Sequence, residues 1–142
     1  MTTTAYLTSG LALKVGDGAS PEVFTTIYEV RSIGEIGQEN DLIEVTHMQS
    51  SAKEFIYGLA DGVEFPVSVN YKPTDTTHVA LLAAQAARTT KNFKMVEPSG
   101  GGSLTWSFSA LVKGWHLPAP SPNQERLMTF NLKISGSITG PV

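Results

Sequence analysis

Gly10-Leu11-Ala12-Leu13-Lys14-Val15-Gly16-Asp17-Gly18-Ala19-Ser20-Pro21-Glu22-Val23-Phe24-Thr25-Thr26-Ile27 writes strand, glycine turn and strand in order. A Gly-Asp-Gly cluster between apolar-alternating runs is a hairpin signal, because glycine supplies the positive φ that a tight turn needs. Gly16-Asp17-Gly18 also begins like a dinucleotide fingerprint, but the third glycine is missing and Pro21 ends the match before any helix could open. The turn reading is therefore preferred, and the chain opens as a β protein.

Working outward, Met128, Phe130, Leu132 and Ile134 interleave with Thr129, Asn131, Lys133 and Ser135, the period of a strand with one buried face. The same pattern places strands at Val63-Phe65-Val67-Val69-Tyr71 and Leu104-Trp106-Phe108-Ala110-Val112. Pro66 lies inside the first of these. Proline cannot donate to a ladder, so that strand is expected at an edge, bulged, or pairing on its other side only. Further strands are expected over 11–15, 24–33, 42–46 and 91–96. One helix interrupts them, over about 76–89, with Asp75 as N-cap and Val79, Leu82, Ala83, Ala86 and Ala87 on its buried face. Such a helix would cover an open sheet.

Three connections stand out. Residues 47–62 are too many for a hairpin turn and carry Phe55, Ile56, Tyr57 and Leu59. Ser99-Gly100-Gly101-Gly102-Ser103 is flexible by composition, and Pro118, Pro120 and Pro122 make 117–123 extended.

The chain has 142 residues and fits one domain, 1–142, large enough to bury about two thirds of its unfolded surface. It contains no cysteine, which removes disulfides, thiolate metal sites and a cysteine nucleophile. A formal charge of −3 with scattered Lys and Arg argues against binding nucleic acid by phosphate neutralisation. The longest apolar run, 79–84, is far short of the roughly 20 residues that span a bilayer. The first residues have neither the basic start nor the apolar core of a signal peptide, so the expectation is that the protein stays in the cytoplasm where it is made.

Catalytic constellations are also missing from the pattern. His47, His78 and His116 lie far apart without zinc spacing and read as surface or capping histidines. Gly136-Ser137-Ile138-Thr139-Gly140 places its serine one position early for a nucleophile elbow. Asp41 with Glu44, or Asp61 with Glu64, could form an acid and base pair, but solvated strand-edge carboxylates are the commoner arrangement. No enzyme, cofactor or metal is expected.

What remains is apolar residue placement that a monomer does not need. Leu81 falls with Gln85 and Arg88 opposite the expected helix stripe, and Leu111 and Trp115 fall on the side of their strand shared with Thr105, Ser107, Ser109 and Lys113. Phe55, Ile56, Tyr57 and Leu59 either fold back on their own core as an Ω-loop or meet another subunit. A β-sandwich module that binds carbohydrate or peptide on Trp106, Trp115 or Tyr71 is an alternative use of the same fold.

The order Gly16-Asp17-Gly18, Ser32-Ile33-Gly34, 41–46, 50–59 and Asp61-Gly62 resembles the major tail (tail tube) proteins of long-tailed, siphovirus-type bacteriophages. The resemblance implies a mainly β subunit, a sandwich or barrel-like fold with one flanking helix. It implies hexameric rings, stacked into the conduit for genome ejection, with the tape-measure, tail terminator and tail-tip proteins as partners. It places the protein in the virion tail, and in the host cytoplasm during assembly. It assigns Phe55, Ile56, Tyr57, Leu59, Leu81, Leu111 and Trp115 to subunit and ring-stacking contacts, with double-stranded DNA only as transiting cargo. An acidic lining would repel that DNA, and Glu44, Asp61 and Glu64 are the candidates for it. A secretion-system tube protein of related fold is the remaining alternative.

Overall fold

The computed structural model describes residues 10–99, 102–119 and 121–141. The elements are β1 (Ala12–Gly16), β2 (Phe24–Thr26), β3 (Val30–Ile33), β4 (Gln38–Glu44), β5 (Phe55–Gly62), β6 (Glu64–Asn70), α1 (Thr76–Ala87), β7 (Thr90–Ser99), β8 (Gly102–His116) and β9 (Leu127–Thr139). Seven strands form one antiparallel sheet in the order β2-β1-β7-β8-β9-β6-β3, and β4 and β5 form a separate two-stranded sheet.

The opening hairpin is present as its sequence reads. Lys14 pairs with Thr26 and Gly16 with Phe24. Between them the Asp17 carboxylate accepts the Ala19 and Val23 N–H groups at 2.9 and 3.1 Å, and Gly18 takes φ +77°. The strand expected over 24–33 is instead two. Ile27 N–H still donates to Leu13 of β1, whereas Glu29 accepts from Asn70 of β6 and has φ 49°. Residues 27–29 thus step from one edge of the sheet to the other. At about 3.3 Å per residue this link spans only roughly 13 Å, so the two edges must lie close and the sheet must curl into a barrel.

The barrel is filled from one face of β1, β6, β7, β8 and β9. Leu13, Val15, Phe65, Val67, Val69, Phe93, Phe108, Ala110, Phe130, Leu132 and Ile134 are buried there. Phe93 stacks on Phe108 at 5.7 Å, and Phe65 meets Phe108 edge-on at 5.8 Å. Pro66 sits as proline chemistry requires: Gly34 N–H donates to its carbonyl beyond the last β3 rung, so its missing N–H faces the side where β3 has ended. The β7–β8 ladder closes with Ser99 paired to Gly102, and the expected flexible Gly100-Gly101 pair lies outside the described residues.

The helix begins where expected but rests on a different face. Asp75 accepts from Thr77 and His78 N–H groups as N-cap, and Arg88 ends the helix in the left-handed region. The buried positions are Thr77, His78, Leu81 and Ala84, while Val79 faces solvent. Leu81 is 0% exposed, which corrects its assignment to an outer contact face. The physical reason is the strand crossover at 27–29. Tyr28 N–H donates to Thr77 Oγ1 at 3.1 Å and Tyr28 C=O pairs with His78 Nε2 at 2.7 Å, so the first helical turn must face inward. Leu81 follows His78 by three positions on that same face.

Candidate assembly surface

The segment 47–62 is not one long loop. Its second half is β5, which pairs with β4 from Gln38↔Gly62 to Glu44↔Phe55. The alternation of the hairpin is interrupted by a bulge at Gly58-Leu59 opposite Asp41, which masks the period of a strand in the sequence. Gly58 packs closely on the opposite strand: a Cβ there would sit 3.1 Å from that of Asp41.

The hairpin is fixed at its base and free beyond it. Val63 N–H donates to Gly37, Ile134 N–H donates to Val63, and Ile138 N–H donates to the Gln38 side chain at 2.9 Å. Gly62 packs on Ile134 so closely that a Cβ would come within 2.6 Å of its side chain. Past these anchors Leu42, Ile43, Val45, Phe55 and Ile56 are exposed, Tyr57 is 80% exposed and Leu59 86%. A lone two-stranded hairpin is marginal in water even without such a surface.

Its two faces differ. Cross-strand pairing puts Leu42 with Tyr57 and Glu44 with Phe55 on the face that continues the barrel's inner layer, since Gly62 on that face meets Ile134. The opposite face carries Glu39 and Asp61 as one pair, and Ile43 and Ile56 as another.

The acidic candidates therefore separate. Asp61 and Glu64 lie on the outer surface of the sheet, and each meets a lysine: Lys133 at 3.1 Å from Asp61, and Lys113 at 3.0 Å from Glu64. Glu44 points to the other hairpin face. Neither Asp61 nor Glu64 is bare, and no shared proton site joins them. Among the described residues Glu39 and Asp41 make no ion pair, and sequence reading missed them in this role because the strand that aligns them was taken to begin at Leu42.

Leu111 and Trp115 also separate. Leu111 pairs with Lys133 and is exposed beside the two lysine–carboxylate pairs. A register shift between Val112 and Gly114 inserts an extra residue, after which Trp115 pairs with the buried Phe130. Trp115 thus belongs to the opposite face from Leu111, which corrects the reading that joined them, although it stays 42% exposed at the strand end. The aromatic platform of the ligand-binding alternative does not form. Trp106 donates to Glu97 at 3.2 Å near one end of β8, Trp115 lies about 30 Å further along that strand, and Tyr71 packs on His78.

The histidines occupy three unrelated places. His47 bridges to Glu54 at 3.4 Å in the hairpin tip, His116 is exposed at the end of β8, and His78 is fully buried. His78 corrects the surface reading: its Nδ1 accepts Lys72 N–H at 3.2 Å while Nε2 serves Tyr28 C=O. Both ring nitrogens are satisfied in the neutral form, which is why burial is tolerated. Among the described residues no three His, Asp or Glu side chains gather as a metal site, and no helix is long and apolar enough to cross a membrane.

One mostly apolar cavity of about 360 Å³ opens beside the hairpin base, lined by Ile36, Gln38, Met95, Glu97, Trp106 and Ile138.

A family model described as phage tail tube, TTP, lambda-like, matches residues 4–121. No curated protein matches the chain in sequence. Several solved structures share its fold. The tail of an empty gene transfer agent particle matches with TM-score 0.70 and 19% identity, covering 95% of this chain and 98% of that one. The SPP1 tail tube matches with TM-score 0.69 and 11% identity, over 89% of this chain and 73% of that one. The sheath/tube terminator structure of an extracellular contractile injection system matches with TM-score 0.74 and 14% identity, over 98% of both chains.

Proposed function

As the chain belongs to the lambda-like phage tail tube family and is a structural protein of the virion tail, we propose that it closes into six-membered rings whose stacking forms the conduit for the genome. The observation that carries this reading is the β4–β5 hairpin. Its edge strands and apolar side chains are left in water by the subunit, and strand edges of this kind are templates for pairing with another chain. Pairing hairpins around a ring removes the edges by closure, and head-to-tail stacking adds rings without limit. Phe55, Ile56, Tyr57 and Leu59 supply the contact, with Leu111 and Trp115 on separate secondary patches.

In such a ring the basal part of the hairpin face, bearing Glu39, Asp41 and Asp61, lines the lumen, and Ile43 and Ile56 further along that face turn to the neighbouring subunit. Glu64 continues the same surface, tempered by Lys113 and Lys133. A lining of that kind repels phosphate and lets duplex DNA pass without adhering. The tape-measure, terminator and tail-tip proteins are the partners this role requires, with assembly in the host cytoplasm. Electron microscopy of the purified chain tests the reading: stacked rings with six subunits support it. A species that remains monomeric at every concentration and salt tested refutes it.

A further inference from the structure

The tip of the β4–β5 hairpin is built to hold one side chain outward. Ser50 Oγ accepts His47 N–H at 3.1 Å and donates to Glu54 at 2.7 Å, while Ser50 N–H returns to His47 C=O at 2.9 Å. Glu54 N–H donates to Thr46 Oγ1 at 2.9 Å, and Gln49 N–H to His47 Nδ1 at 3.2 Å. Within this bonded frame Met48 is 104% exposed. A tip already ordered in the free subunit loses little conformational freedom when it docks, and methionine adapts to irregular apolar hollows and aromatic edges.

A complementary hollow lies at the other end of the same hairpin. The cavity of about 360 Å³ beside Gln38 offers Met95, Trp106, Ile36 and Ile138. The tip cannot reach its own cavity, because the ladder from Gln38↔Gly62 to Glu44↔Phe55 holds the two ends roughly 20 Å apart. Charge agrees as well. Glu97 lines the cavity, and Glu35 directly precedes the lining residue Ile36. Lys53 on the tip makes no ion pair among the described residues.

We infer that the Met48 tip of one copy inserts into the Ile36–Met95–Trp106–Ile138 cavity of the next copy, with Lys53 meeting the acidic rim. The inference rests on the tail-tube reading and names the contact that propagates it. Knob and hollow occupy different patches of one chain, so the contact is heterologous and leaves a free knob and a free hollow after every addition.

The absence of cysteine makes a clean test available. Gln49→Cys and Glu35→Cys together place thiols beside knob and hollow while keeping Met48, the apolar lining and the Glu97 carboxylate, and a short bismaleimide joins thiols that come together. Under tube-forming conditions the double variant should give a ladder of linked chains on a denaturing gel, and each single variant none. Tubes that form without a ladder, or linkage confined within single chains, overturn the inference while leaving the tail-tube reading intact. Met48→Asp provides a second readout. It should raise the protein concentration needed for tubes at least tenfold with an unchanged melting temperature, and assembly at the parent concentration overturns the inference. A parent chain that never assembles removes the tail-tube reading and this contact together.

Discussion

Tyr57 and Leu59 separate assembly from folding more cleanly than any other pair in the hairpin. In the isolated subunit they are 80% and 86% exposed, so truncating both to alanine removes little that the monomer uses. The main subunit loss is the cross-strand contact of Tyr57 with Leu42, a pair of the sort worth about 0.2–1 kcal/mol, and it falls on a peripheral element. In a ring that buries them, each large apolar side chain contributes about 1.5–3 kcal/mol. The double variant should then lose at least about 3 kcal/mol per subunit contact, which at ~1.4 kcal/mol per decade is roughly a hundredfold rise in the concentration needed to assemble. Phe55 and Ile56 are less suitable, because both are only half-exposed and lean on Glu44 and Ile43 within their own hairpin. The assay is sedimentation of polymer across a concentration series, with circular dichroism and thermal melting on the same samples. A variant that polymerises at the parent concentration refutes the hairpin as the contact. A variant that melts far lower shows that the two side chains serve the subunit's own core.

His78→Ala should lower subunit stability by about 2–4 kcal/mol, since it empties a fully buried site and orphans Tyr28 C=O and Lys72 N–H; urea unfolding measures it. Gly62→Ala should destabilise the hairpin base through the clash with Ile134, and faster hydrogen exchange of Val63 and Ile134 than in the parent would show it. Partial burial pushes the Asp75 carboxyl up, but hydrogen bonds from the Thr77 hydroxyl and the His78 and Thr77 N–H groups outweigh it and hold it below the usual value. A lowered pKa contributes stability that is complete above the unfolded value of about 3.9 and disappears as pH falls through the lower folded value. Asp75→Asn, which keeps a capping oxygen, should flatten the parent's loss of stability below pH ~4, as followed by thermal melting. Duplex DNA should bind weakly near physiological salt, and a sub-micromolar gel shift with steep salt dependence would contradict a conduit.

The strands legible in the sequence were those with one buried face and unbroken alternation. Met128 to Ile134, Phe65 to Val69 and Phe108 to Val112 lie in a barrel wall, where period two follows directly from burial on one side. Where a bulge intervened, the period failed. Gly58-Leu59 disguised β5 as a loop, and the insertion after Val112 moved Trp115 to the other face. The helix face was misread for a different reason. Alanine gives little directional signal, and the residues that decide the orientation, Thr77 and His78, are polar groups whose inward position depends on Tyr28, about 50 residues earlier in the chain.

That same crossover explains why assembly should concentrate on the hairpin. A seven-stranded sheet ordinarily leaves two edges, but here β2 and β3 are drawn together by residues 27–29 and the first turn of α1 is bonded across the seam. The barrel has thereby used its own apolar face, and its outer strands β2 and β3 are short and lie beside that seam. The β4–β5 sheet differs: neither of its strands pairs with any other strand of the subunit, and its apolar residues project beyond the anchors at Gln38 and Gly62. Stability and stickiness are thus held by different parts of one chain. A subunit divided in this way can fold alone at low concentration and still polymerise when its hairpins meet, so a change in the barrel should move the melting temperature and a change in the hairpin should move the assembly threshold.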